Sequence, residues 1–154
     1  MIKLLAPVAT LALLTLTAAC GGYGDGGSGE VAALLATPRT VDLQPVGNSG
    51  VSGTLTITPR DAEPADTSAT PAGRFDAALS AEGLDSRFVY PVHLRSGSCG
   101  SDKGVAAQLV SLTADGEGRG TSSTEIETVS VTEARSLFVQ ISAPDGEPLS
   151  CGDL

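Results

Sequence analysis

The chain has 154 residues, enough for one domain with short extensions. Aromatic residues make up 3% and charged residues 18%, and glycine is abundant; this mix favours strands and turns over helices. Eighteen acidic residues against nine basic ones give −9, which argues against nucleic acid or an anionic lipid surface as partner and reads first as a solvated acidic surface.

The chain opens as an export signal over residues 1–19. Met1-Ile2-Lys3 is a short positive start, and Leu4–Ala19 is an apolar run closed by Thr17-Ala18-Ala19. With Pro7 inside it, the run is short for a membrane-spanning helix. Cys20 follows directly, and Leu16-Thr17-Ala18-Ala19-Cys20 resembles a bacterial lipobox. The resemblance implies that Cys20 is lipidated and becomes the mature N-terminus; an ordinary secretory signal is the alternative. Acyl chains would hold the domain to a membrane, since each buried CH₂ contributes about 0.8 kcal/mol. Gly21, not Asp, follows Cys20, so the outer membrane is the expected address in a Gram-negative cell. Otherwise the expected location is the cell surface.

Gly21–Gly29 contains Gly22-x-Gly24-x-x-Gly27, a formal match to a dinucleotide fingerprint. No strand precedes it and no βαβ pattern surrounds it, so it reads as a flexible tether within residues 20–37. Three cysteines less a lipidated Cys20 leave Cys99 and Cys151. Two thiols in an exported domain most often form a disulfide. Closing a loop of about 50 residues stabilises by roughly 4 kcal/mol in the chain-entropy model.

The domain proper is expected over residues 38–154. Thr40–Pro45 reads as a short strand, and Gly47-Asn48-Ser49-Gly50 as a turn. Val51–Thr58 alternates, with Val51, Gly53, Leu55 and Ile57 on one face, which is the period of a half-buried strand. Pro59–Gly73 reads as a long connection. Arg74–Ser80 alternates again. After a corner at Glu82-Gly83-Leu84, Arg87–Arg95 sets Phe88, Tyr90, Val92 and Leu94 on one face and Arg87, Val89, His93 and Arg95 on the other.

Ser96–Gly104 reads as a Gly/Ser-rich loop around Cys99. Val105–Leu112 and Thr121–Thr128 read as strands joined by a Gly/Asp turn; Asp115-Gly-Glu117-Gly is explained by turn chemistry rather than calcium. Ser130-Val-Thr-Glu133 matches a capping box and predicts one short helix over Val131–Ser136. Leu137–Ser142 and Leu149–Leu154 close the chain as strands. Many short alternating strands with frequent turns predict an all-β, antiparallel Greek-key β-sandwich of immunoglobulin-like architecture.

The span from about Thr40 to Leu154 resembles the superoxide dismutase-like β-sandwich in a short bacterial form. Leu43-Gln-Pro-Val-Gly-Asn-Ser-Gly-Val-Ser-Gly-Thr fits its first hairpin, and Gly83-Leu84 fits a corner. Tyr90-Pro-Val-His93-Leu-Arg95-Ser-Gly-Ser-Cys99 fits a His-Pro-Ala-His-Ile-His pattern followed by Gly-x-Cys. Ser150-Cys151-Gly152-Asp153-Leu154 fits an Ala-Cys-Gly-hydrophobic terminus. The resemblance implies a Cys99–Cys151 disulfide. A chordin-type (CHRD-like) sandwich module is a neighbouring resemblance, but it does not usually carry the cysteine pair.

The dismutase metal pattern does not carry over. His93 stands at one copper-ligand position, but Arg95 stands at the second. A guanidinium stays protonated, offers no lone pair and repels a cation. Tyr90 replaces a further histidine of short relatives, Pro148 replaces an anion-guiding Arg, and His93 is the chain's single histidine. No cofactor, no metal ligand set and no catalytic residue is therefore expected. A Ser–His hydrolase constellation has no nucleophile elbow to support it.

Arg87, His93 and Arg95 form a basic patch, read first as structural ion pairing and second as a small-anion or ligand site. The expectation is a non-enzymatic, lipid-anchored envelope protein with a structural or protein-binding role. The alternatives are an extracytoplasmic metal binder or dismutase-related enzyme, and an anion-binding module.

Overall fold

The computed structural model describes residues 37–60, 74–127 and 136–154. The signal, Cys20, nearly all of the tether and all but the last residue of the helix expected over Val131–Ser136 lie outside these residues.

Eight strands run in chain order: β1 Arg39–Pro45, β2 Ser52–Arg60, β3 Arg74–Glu82, β4 Val89–Ser98, β5 Ser101–Thr113, β6 Gly120–Glu127, β7 Leu137–Ser142 and β8 Pro148–Asp153. No helix occurs among the described residues. The strands form one sheet in the order β5-β4-β7-β8-β1-β2-β3-β6, and every ladder is antiparallel. β1 joins the two halves, pairing β2 through Arg39–Leu43 and β8 through Gln44 and Pro45. The sheet wraps until its outer strands meet, where the Val110 N–H donates to Thr124 Oγ1 at 2.8 Å. The result is nearly a barrel.

Alternation places the core. Leu55 and Ile57 of β2, Phe75, Ala77 and Leu79 of β3, and Tyr90, Val92 and Leu94 of β4 point inward and are buried. Each large apolar side chain so buried contributes about 1.5–3 kcal/mol relative to exposure. Leu137, Val139 and Ile141 of β7 join this core. The outward residues of β7, Phe138, Gln140 and Ser142, are buried as well, so this strand is covered on both faces.

Two expectations change. Ser96–Gly104 is not a loop: β4 continues to Ser98, β5 starts at Ser101, and only Cys99 and Gly100 turn between them. Glycines make this hairpin end, with Gly97 at φ 106° and Gly104 at φ 123°, conformations that L side chains rarely adopt. Second, Phe88 does not join the inward face of β4. It precedes the strand and is 55% exposed. Arg87 before it takes φ 72°, which breaks the alternation assumed from Arg87 onward.

Candidate functional site

β4 sets His93 and Arg95 two residues apart, on the outward face of the sheet. Register extends that face sideways. His93 lies between Gln108 of β5 and Gln140 of β7, and Gln140 faces Cys151 of β8. The next row runs Val105, Arg95, Phe138, Asp153. The Gln140 Nε2 amide donates to Ser142 Oγ at 2.9 Å.

Arg95 is committed. Its guanidinium pairs with Asp102 across the hairpin. The Arg95 hydrogen bond and the Gly104 N–H, which donates to Asp102 Oδ1 at 2.8 Å, hold the Asp102 carboxyl below the usual carboxylate range. The His93 pKa is lowered too, which for an imidazole favours the neutral form: partial burial and the neighbouring Arg95 charge hold it below 6.5. Among the described residues, His93 Nδ1 and Arg95 Nε are buried without a hydrogen-bond partner.

Arg87 is not part of this cluster. It sits in the turn before β4, where its N–H donates to Ala114 O at 3.2 Å. The three-residue patch is therefore a His93–Arg95 pair plus a separate arginine.

The cysteines meet. Cys99 and Cys151 form a disulfide with Cα atoms 5.9 Å apart, ordinary spacing for such a bond. The Cys99 N–H also donates to Asp153 Oδ1 at 2.8 Å, so the β4–β5 turn is held to β8 by one covalent and one polar link. Asp102 and Asp153 were not singled out from the sequence. The signal for Asp102 is its position across the tip of a hairpin from Arg95, hidden while Ser96–Gly104 reads as a loop.

This donor set does not fit copper or zinc. It offers one imidazole, a protonated guanidinium where a second would stand, and sulfurs already bonded to each other. Among the described residues no group of three His, Cys, Asp or Glu side chains is arranged to hold a metal ion.

A cleft lies at the start of β4, away from His93 and Arg95. Val51, Phe88, Tyr90, Pro144 and Leu149 line this cleft, of about 220 Å³. The Tyr90 O–H donates to Asp85 O at 3.0 Å, and burial pushes its phenol pKa up. No family model and no curated protein sequence matches the chain.

Proposed function

We propose that the chain is a non-catalytic envelope protein, anchored through lipid on Cys20, that displays a disulfide-closed β-sandwich of superoxide dismutase-like kind for a structural or protein-binding role. The observation that carries the non-catalytic reading is the fate of the second ligand position. Arg95 stands there as a cation bound to Asp102, beside the chain's single histidine. The Cys99–Cys151 bond supports the kinship, because the resemblance implies it. A Greek-key path is supported by the strand order, in which β3 neighbours β6 instead of its chain successor β4, and β4 pairs with β7 as well as with β5.

The test uses the full chain, expressed in bacteria with copper and zinc supplied and purified from membranes in detergent. The expected metal content is far below one ion per chain, with no superoxide dismutation above buffer. Near-stoichiometric copper with dismutation overturns the reading. Cys20→Ser is expected to move the protein out of the detergent phase.

A second reading is favoured by the buried, unpartnered nitrogens of His93 and Arg95: a small-anion site reduced to these two residues. A thermal-shift screen of phosphate, sulfate and carboxylates, repeated on Arg95→Ala, checks it. No shift in either protein removes it.

A further inference from the structure

We infer that the end of the barrel opposite the N-terminal side is a docking surface for a cationic polypeptide segment that inserts an apolar residue beside Phe88. This rests on the reading of a displayed, protein-binding domain and names the kind of partner it takes.

The topology separates the two ends. Antiparallel ladders make the strands alternate in direction, so turns 46–51, 83–88, 114–119 and 143–147 gather at one end. The chain enters β1 at Arg39 and finishes at Leu154 at the other. The described chain therefore enters and finishes away from the four turns. Under the lipid-anchored reading proposed above, the turns lie at the end remote from where the anchored segment joins the domain.

The turns form a preset layer. The Leu84 N–H donates to Gly118 O at 3.0 Å and the Val46 N–H to Leu149 O at 2.8 Å. Gly83 packs so close that a Cβ there would lie 2.4 Å from Gly50 O. A surface already ordered loses little entropy when a partner binds. Within it lies the mixed cleft, lined by Val51, Tyr90, Pro144 and Leu149 together with Ser49 and Asp85, with Phe88 at its rim. Phe88 is 55% exposed, whereas the other two phenylalanines, Phe75 and Phe138, are each 1% exposed. An aromatic ring over a cleft that a partner can desolvate has the geometry of a binding hot spot.

Charge selects the partner. Asp85 lines the cleft, and Glu82, Asp115, Glu117, Asp145 and Glu147 lie in or beside the same four turns, against Arg87 and Arg119. Arg119 is already paired with Asp115 and Glu117. Glu82, Asp85, Asp145 and Glu147 enter no ion pair among the described residues. Lys- or Arg-bearing chains are attracted to such a rim, and a second copy of this acidic chain is repelled.

The probe is a short fluorescent lysine–leucine peptide, with a glutamate–leucine peptide as control, titrated by anisotropy against the full chain in neutral detergent micelles. The lysine peptide is expected to bind and the glutamate peptide not. Phe88→Ser and the double variant Asp145→Lys/Glu147→Lys should each weaken binding about tenfold. Glu127→Lys, at the other end of the barrel, should leave it unchanged. Equal weakening by all three variants, or by none, overturns the inference. So does a concentration-dependent dimer lost in Phe88→Ser with no peptide bound, which would make a second copy the occupant. Circular dichroism checks folding; were Phe88→Ser unfolded, the charge variant alone decides. The anchoring reading fails separately, if Cys20→Ser does not change membrane fractionation.

Discussion

His93 is the chain's single histidine, so one proton signal reports its whole titration. Burial and Arg95 lower its pKa in the folded state, so the unfolded chain binds its proton more readily. The stability tied to the neutral ring is present above pH 6.5, the unfolded value, and is lost as pH falls from there through the folded pKa. NMR titration is expected to give a midpoint below 6.5, moving up in Arg95→Gln; an unshifted midpoint would contradict the burial and charge assigned to this site. His93→Gln should remove the corresponding fall in melting temperature. Gly152 offers a second residue-scale case. A Cβ there would lie 2.7 Å from Val41 Cγ1 and 2.8 Å from Asp42 O, between β8 and β1. Gly152→Val is expected to destabilise by about 1–3 kcal/mol in urea unfolding, the ordinary cost of overpacking. Single residues were unevenly legible in the sequence. Tyr90, Val92 and Leu94 follow period two and are buried as read. Phe88 was misplaced because period-two reasoning presumes extended backbone, and Arg87 at φ 72° is not extended.

Among the elements, the β4–β5 hairpin shows where composition misleads. Gly97, Gly100 and Gly104 among serines look like a loop, yet the pairing runs through Ser96↔Gly104 and Gly97↔Asp102 to Ser98↔Ser101, with Lys103 as the extra residue at a register shift. A Cβ on Gly97 would sit 2.0 Å from Ser101 O, so glycine here serves close strand approach rather than loop freedom. The cysteine pair was legible by counting, but not what it fastens: a hairpin tip to the terminal strand, across a separation of 52 residues. β8 pairs both β7 and β1, so loosening it loosens the junction between the two halves of the sheet. The double variant Cys99→Ser/Cys151→Ser is expected to lose about 4 kcal/mol in urea unfolding. Wild-type protein unfolded with reductant should lose a similar amount. If both losses fall below about 1 kcal/mol, the hydrogen bond from Cys99 to Asp153 and the ladders alone hold the tip, and the staple has no thermodynamic role.

For the molecule as a whole, the position of most strands was legible because connections such as Gly47–Gly50, Glu82–Leu84, Ala114–Gly120 and Pro144–Gly146 carry Gly, Asp or Pro at an end of an alternating run. Strand order was not, since pairing β3 with β6 and β4 with β7 depends on which faces bury against each other, and local sequence does not encode that. The same ordering leaves one seam. β5 and β6 are the outer strands of the eight, and no backbone ladder joins them among the described residues. What crosses is the hydrogen bond from the Val110 N–H to the Thr124 hydroxyl. Edge strands with unpaired backbone groups invite foreign pairing, so this side-chain acceptor both closes the barrel and occupies a donor that another chain could use. Thr124→Val keeps the shape and removes the acceptor. Val110 is 52% exposed, so water can replace the lost partner, and the expected loss of global stability is under about 1 kcal/mol. The local effect should be larger than the global one. Hydrogen exchange at the Val110 amide is expected to accelerate while amides of the β2–β3 ladder keep their protection. Unchanged exchange at Val110 would mean that side-chain packing, not the hydroxyl, shuts the seam.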